Sequence, residues 1–139
     1  MRDIAYVALG SNLGDRRGYL AVAREAIARL PHTTVLAATD VEETAPIGPP
    51  QPNYLNQMIA IETELTPHEL LDELLAIERS AGRVRREKWG PRTLDLDIVK
   101  YERQTVDDPS LRVPHPGLRD RDFWQRELAD LASRLVTRP

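Results

Sequence analysis

The sequence contains no cysteine, so disulfide bonds and thiolate chemistry are excluded. Aromatic residues make up only 5% of its 139 residues, and no apolar run is long enough to cross a bilayer. The first residues, MRDIAYVALG, also lack the long apolar segment of a signal peptide. We therefore expect a cytoplasmic protein with a single domain over residues 1–139 and one modest core.

Neither sign of charge dominates the chain. The 19 Lys and Arg residues are balanced by 22 Asp and Glu residues, which gives a formal net charge of −3. This balance does not predict a protein that coats nucleic acid or a membrane. Any binding of an anion must therefore come from a local cluster of basic residues.

The apolar periodicity predicts alternating strands and helices. We expect strands at 4–9, 35–43, 54–65 and 94–99, and helices at 15–30, at 66–82 and from about residue 120. Thr66, Pro67 and Glu69 form a capping-box signature, and Gly82 is expected to end that helix. The proline-rich segment TAPIGPPQPN between the second and third strands is predicted to be a constrained loop. This order of elements is that of a ferredoxin-like α+β sandwich, a mostly antiparallel sheet with helices packed on one face.

The last predicted strand carries two carboxylates. Residues two apart share a strand face, so Asp95 and Asp97 point one way, while Leu94, Leu96 and Ile98 point to the other face. Their Cα atoms would be roughly 6.5–7 Å apart. This spacing suits Mg²⁺ with open positions for phosphate. On the pattern alone, two aspartates on the solvated face of a half-buried strand remain the simpler interpretation.

A basic segment precedes this strand, with only Glu78 and Glu87 to offset it. Its cationic residues are Arg79, Arg83, Arg85, Arg86, Lys88 and Arg92. A charge run alone is usually a solvated loop. Guanidinium groups bind phosphate oxygens in bidentate fashion, however, and neutralising a polyphosphate is a main demand of phosphoryl transfer. Together with the paired aspartates, the segment indicates an anion site, although no Walker A motif is present.

Four blocks of the sequence resemble one family. The run RVRREKWGPRTLDLDIV is similar to the signature of the 6-hydroxymethyl-7,8-dihydropterin pyrophosphokinases of folate biosynthesis. ALGSNLGDR, TAPIGPPQPNYLNQ and VPHP with a later Phe123 agree in order, so the resemblance covers nearly the whole chain. It implies a ferredoxin-like core and transfer of the β,γ-pyrophosphoryl group of ATP to the pterin hydroxymethyl group. It also implies release of AMP and the use of two Mg²⁺ ions.

The resemblance implies roles at the phosphate end of the site. Asp95 and Asp97 would be catalytic as Mg²⁺ ligands, and Arg83 and Arg92 would be catalytic by binding the transferred phosphates. The residues implied to bind ATP are Glu78, Arg83, Arg85, Arg86, Arg92, Ile98, His115 and Arg121. His115 is expected to contact ATP phosphate rather than to act as a general base.

The resemblance also implies which residues bind the pterin. The residues concerned are Thr44, Ala45, Ile47, Tyr54, Asn56, Trp89 and Phe123. Tyr54 and Phe123 would stack on the ring, although an isolated aromatic is more often ordinary core. The Asn56 amide can both donate to and accept from the ring edge. Arg85, Arg86 and Trp89 would belong to a mobile loop that closes over both substrates, with Gly82 and Gly90 at hinge positions.

Two other interpretations stay open. Some ferredoxin-like sheets bind single-stranded RNA, but this sequence lacks the RNP1 run. A non-catalytic relative could bind the nucleotide or the pterin as a regulator.

We expect a monomer that binds ATP and the pterin, with no nucleic-acid or membrane partner. Two departures from the family pattern are Pro116 after His115 and a tail without the usual proline-containing block.

Overall fold

The computed structural model describes residues 2–46, 48–82 and 93–136. Its strands are β1 (Asp3–Ser11), β2 (Thr33–Ala38), β3 (Glu42–Thr44), β4 (Tyr54–Thr63), β5 (Asp95–Tyr101), β6 (Val106–Asp108) and β7 (Leu111–Val113). Its α-helices are α1 (Arg16–Ala28), α2 (Pro67–Ser80) and α3 (Asp122–Val136), and a short 3-10 helix covers Pro116–Asp120. Among these residues, no helix is long and apolar enough to cross a bilayer.

The main sheet is antiparallel and has the order β2-β4-β1-β5, with β3 also paired to β4. This arrangement confirms the ferredoxin-like α+β class expected from the sequence. The strand predicted over 35–43 is in fact two strands that follow one another along the outer edge of β4. Between them, the Thr39 backbone N–H donates to the Met58 carbonyl, and the Thr39 hydroxyl accepts from the Met58 N–H. The small β6–β7 hairpin was not predicted.

The helices cover both faces of the sheet. Ala5, Val7 and Leu9 of β1 join the core beneath α1 and α2, whereas Tyr6 and Ala8 join a second core beneath α3. The expectation of helices on one face alone is therefore wrong. The physical reason lies in the sequence of β1, which is apolar at both odd and even positions, as a strand covered on both faces must be.

The predicted helix boundaries follow from local chemistry. The Thr66 hydroxyl accepts from the Glu69 N–H, and the Glu69 carboxylate accepts from the Thr66 N–H, which confirms the capping box. Gly82 follows the helix with φ of +78°, a conformation that favours glycine, so it ends α2 as predicted. Asp15 caps α1 by accepting from the Gly18 N–H at 3.1 Å. α3 begins at Asp122, two residues after the predicted start.

Candidate active site

Strand pairing brings the polar candidates to one face of the sheet. Asn56 of β4 pairs with Gly10 of β1, and Gly10 pairs with Asp95 of β5. In the next row on the same face, Ala8 pairs with Asp97. Directly paired residues project from the same face, and so do residues two apart. The amide predicted for the pterin and the carboxylates predicted for Mg²⁺ therefore share the α3 face.

Gly10, which is buried, lies between these two groups. A Cβ atom at this position would lie 3.4 Å from both Asn56 Oδ1 and Tyr54 Cδ1. The Tyr54 ring and the Asn56 amide thus border the backbone of β1, which has no side chain there. Because neighbouring strands are about 4.8 Å apart, the backbones at Asn56 and Asp95 are separated by roughly 10 Å. The backbone of β1 at Gly10, which we call the floor of the site, therefore lies between the amide and the carboxylate.

A hydrogen bond orients the Asn56 amide. Its Nδ2 donates to the Thr44 hydroxyl of β3 at 2.5 Å. Its Oδ1 lies on the side of Gly10. The amide nitrogen is therefore directed toward β3, and the amide oxygen borders the floor, where it can accept from a ring N–H.

Two residues anchor the proline-rich loop that carries Ala45. Asn12 is almost fully buried, and its Nδ2 donates to Gln51 Oε1 at 2.7 Å and to the Pro52 carbonyl at 3.0 Å. Arg16 donates to the Asn53 carbonyl at 2.9 Å. Sequence reasoning assigned neither residue a role, although both lie in the block ALGSNLGDR that carried part of the resemblance.

Glu78 supports the strand that carries the aspartates. This α2 side chain is only 4% exposed, and its Oε2 accepts from the Leu96 N–H at 2.7 Å. Leu96 lies between Asp95 and Asp97 on β5, which is the edge strand of the sheet. The Glu78 carboxylate therefore satisfies an edge N–H and fixes the backbone between the aspartates. Its predicted contact with ATP stays a prediction.

His115 lies beside Asp97 with a defined tautomer. Its backbone N–H donates to the Val99 carbonyl of β5 at 2.8 Å. Its Nδ1 accepts from the Gly117 N–H at 2.9 Å, and its Nε2 lies 3.6 Å from Asp97 Oδ1. A neutral imidazole carries one proton, so an accepting Nδ1 leaves the proton on Nε2. The Nε2–H group therefore faces the carboxylate end of the site.

An aromatic cluster borders His115 at the start of α3. Trp124 is 3% exposed and contacts the His115 ring edge-to-face, with 5.0 Å between centroids. The guanidinium carbon of Arg121 lies 4.2 Å from the centroid of the Trp124 ring. Phe123 is half-buried, and its ring centroid lies 6.2 Å from that of Trp124. Sequence reasoning missed Trp124, whose only signal was its place next to Phe123.

Of the other predicted residues, Ile98 is among the described residues and six are not. The side chain of Ile98 is buried in the core beneath α1 and α2, so a nucleotide contact would have to use its backbone. The remaining candidates lie outside the described residues: Ile47, Arg83, Arg85, Arg86, Trp89 and Arg92. Gly90, the second predicted hinge, lies there too.

The carboxylate pair fits Mg²⁺ rather than a metal held by protein alone. In the described part of the chain, no group of three or more His, Cys, Asp or Glu side chains could hold a metal ion. Mg²⁺ is commonly bound by one or two carboxylates, with phosphate and water oxygens completing its shell. Asp95 and Asp97, half-buried on one strand face, meet that requirement.

The fold is an α+β sandwich in which one sheet face carries paired carboxylates, an amide and an aromatic ring. The family model for 7,8-dihydro-6-hydroxymethylpterin-pyrophosphokinase matches residues 6–133. The chain belongs to this family, which confirms the resemblance found in the sequence.

Curated relatives agree with the family model, and each is called a 2-amino-4-hydroxy-6-hydroxymethyldihydropteridine pyrophosphokinase. The protein from Pseudomonas aeruginosa is 48% identical over 128 residues, which cover 91% of this chain and 79% of the relative. The protein from Haemophilus influenzae is 44% identical over 133 residues, 95% of this chain and 83% of the relative. The protein from Bacillus subtilis is 42% identical over 139 residues, 97% of this chain and 81% of the relative.

Proposed function

We propose that this chain transfers the β,γ-pyrophosphoryl group of ATP to the hydroxymethyl group of 6-hydroxymethyl-7,8-dihydropterin, giving the pterin diphosphate and AMP. Family membership gives the reaction class, an ATP-dependent diphosphotransfer in folate biosynthesis. The observation that carries the assignment to particular residues is the row of Asn56, Gly10 and Asp95. It sets groups suited to a flat heterocycle beside groups suited to a phosphate with its metal.

At the pterin end, the chain offers a ring face and a ring-edge reader. The Tyr54 ring borders the floor at Gly10, and the Asn56 amide oxygen lies beside it. We assign Tyr54 and Phe123 to stacking on the pterin, and Asn56 with Thr44 to its polar edge. The half-buried state of Phe123 supports this role, because a stacking ring needs one face within reach of a ligand.

At the phosphate end, Asp95 and Asp97 would hold Mg²⁺, and the family pattern favours two ions. When bound there, Mg²⁺ neutralises phosphate charge and makes the substrate hydroxyl a better nucleophile. Arg83 and Arg92, implied by the family pattern, are assigned to the transferred phosphates. Glu78 serves this end by holding the backbone between the two aspartates in place.

The proposed reaction is an in-line displacement at the β-phosphorus. The hydroxymethyl oxygen bonds to that phosphorus, and the bond from it to the oxygen bridging the α-phosphorus breaks. AMP leaves with the bridging oxygen, and the hydroxyl proton is released to solvent. His115 is unsuited to take that proton, because its Nδ1 already accepts from Gly117 and its Nε2 carries a proton. We assign the Nε2–H group to donate to a phosphate oxygen.

The test is analysis of the nucleotide product from ATP, Mg²⁺ and the pterin. We expect AMP only when the pterin is present. Asp97→Asn keeps the shape but removes a carboxylate and should lower turnover by about 100-fold or more. The matched control is Asp107→Asn, since Asp107 is 89% exposed on β6, outside the site.

Three other outcomes would each contradict the proposal in a different way. ADP as the product would show a simple kinase and refute pyrophosphoryl transfer. Tight binding of both ligands without any product would favour a non-catalytic relative. Retention of single-stranded RNA on a filter at moderate salt would favour the nucleic-acid interpretation, because the enzyme should bind RNA negligibly under those conditions.

A further inference from the structure

Trp124 lies where two predicted nucleotide ligands meet. It is 3% exposed at the start of α3 and contacts both His115 and Arg121. Neither residue is on the sheet, so strand geometry alone cannot set their positions. The indole is the common surface against which both side chains rest.

His115 is held by three separate contacts, two of which involve its ring. Its backbone is fixed to Val99 of β5, and its Nδ1 is fixed to the Gly117 N–H. The third contact is the Trp124 indole, which meets the imidazole at an interplanar angle of 89°. An edge-to-face contact of this kind opposes rotation of the ring about its Cβ–Cγ bond. The indole thereby helps to keep Nε2–H directed toward Asp97.

The Arg121 guanidinium is held by the same indole. Its central carbon lies 4.2 Å from the ring centroid, within the range of a cation–π interaction. A guanidinium that rests on an aromatic face keeps its N–H groups pointing outward in its own plane, where they can bind phosphate. Gly117 completes the arrangement, because a Cβ there would lie 3.1 Å from His115 Nδ1 and 3.2 Å from Arg121 Cζ.

We infer that Trp124 is a positioning residue for ATP phosphates, because its indole fixes the imidazole of His115 and the guanidinium of Arg121 in one donor arrangement beside Asp97. This inference rests on the proposed function, in which both side chains bind the nucleotide. Trp124 itself is not assigned a contact with substrate.

Two substitutions at Trp124 separate positioning from packing. Trp124→Leu keeps an apolar side chain but removes both ring contacts, and Trp124→Phe restores an aromatic face. The matched control is Leu131→Ala, because Leu131 is fully buried in the same core on α3 and neither ring contact involves it. Calorimetry with ATP and Mg²⁺ gives the nucleotide dissociation constant without turnover. Steady-state rates at saturating ATP give the pterin KM.

We expect Trp124→Leu to weaken ATP binding about tenfold, from the combined loss of two aromatic contacts. The pterin KM should change less, and Trp124→Phe should recover most of the ATP affinity. If Trp124→Leu does not fold, Trp124→Met takes its place, because Met is a longer, flexible apolar side chain that also lacks an aromatic face. The same weakening of ATP binding is then expected, and unchanged binding would overturn the inference.

NMR of the two imidazole nitrogens shows which of them carries the proton, and a loss of packing alone would not change that distribution. The wild-type ring should show the proton on Nε2, and Trp124→Leu should reduce that population. The inference is overturned if Leu131→Ala weakens ATP binding as much as Trp124→Leu, or if ATP and pterin binding fall together. It is also overturned if the ring nitrogens are unchanged in Trp124→Leu. A wild-type protein that binds ATP but forms no AMP would refute the proposed function instead.

Discussion

Replacing Glu127 by Gln should stabilise the protein in a strongly pH-dependent way. Glu127 lies on the inner side of α3 and is 5% exposed, and neither carboxyl oxygen has a hydrogen-bond partner in the described parts of the chain. Burial and the nearby Glu42 raise the pKa of Glu127 to about 8, with Arg126 opposing the change and Asp130 adding to it. Arg126 itself pairs with Glu42 at 3.3 Å. The folded protein therefore holds Glu127 largely protonated at neutral pH.

The magnitude follows from proton linkage. The ordinary pKa of this carboxyl is 4.5, so the unfolded chain loses its proton near that pH, whereas the folded chain keeps it up to about 8. Between these values the folded state binds more protons, and the free energy of unfolding falls as the pH rises. At about 1.4 kcal/mol per pKa unit, Glu127 costs about 3 kcal/mol more at pH 8 than at pH 5. Below the ordinary pKa, both states are protonated and the cost disappears.

Urea unfolding at pH 5 and pH 8, followed by circular dichroism, measures this difference. The advantage of Glu127→Gln over the wild type should grow by about 3 kcal/mol between the two pH values. Any constant cost of burying the Gln amide cancels in that comparison. Glu25→Gln is the control, because the Glu25 side chain is 70% exposed on α1. Parallel pH curves for wild type and Glu127→Gln would refute the reasoning and would mean that the carboxylate is hydrated or paired.

Three further substitutions test the site and the fold. Phe123→Ala should raise the pterin KM about tenfold, and the ATP KM much less, in steady-state assays; equal effects would exclude a stacking role. Gly10→Val places branched methyl groups against Asn56 and Tyr54, so it should weaken pterin binding about tenfold in calorimetry while circular dichroism stays unchanged. Unchanged affinity would show that the floor at Gly10 does not carry the ligand. Thr66→Ala removes the hydroxyl that accepts from the Glu69 N–H at the start of α2, and it should lower the urea-derived stability by about 1 kcal/mol.

Local rules were enough to predict the helix ends and the strand that carries the aspartates. The capping box at Thr66 depends on residues within one helical turn, and the common direction of Asp95 and Asp97 depends only on strand alternation. The break between β2 and β3 was not predictable in this way, because it depends on the hydrogen bonds of Thr39 with Met58 of another strand.

That the residues proposed for the pterin and those proposed for the phosphates share one face could be found only from the register of three strands. Alternation places Asn56 and Asp95 each on one face of its own strand, but a shift of one residue would put them on opposite faces. Because both residues pair with Gly10, they lie on the same face. Trp124 and Glu127 were missed for a related reason. Their roles depend on α3 packing on the second face of the sheet, and the helical period does not say which face a helix covers.

The position of the proposed site follows from how the side chains of β1 change along its length. On the α3 face, β1 presents Tyr6, then Ala8 and then Gly10, so its side chains become smaller toward the end at Ser11. Tyr6 and Ala8 belong to the core beneath α3. Gly10 lies one row farther along, where the neighbouring strands present Asn56 and Asp95. A larger residue at Gly10 would press on the Asn56 amide and the Tyr54 ring, whereas glycine lets both lie against the backbone of β1. The same strand therefore supplies the core at one end and the floor of the site at the other.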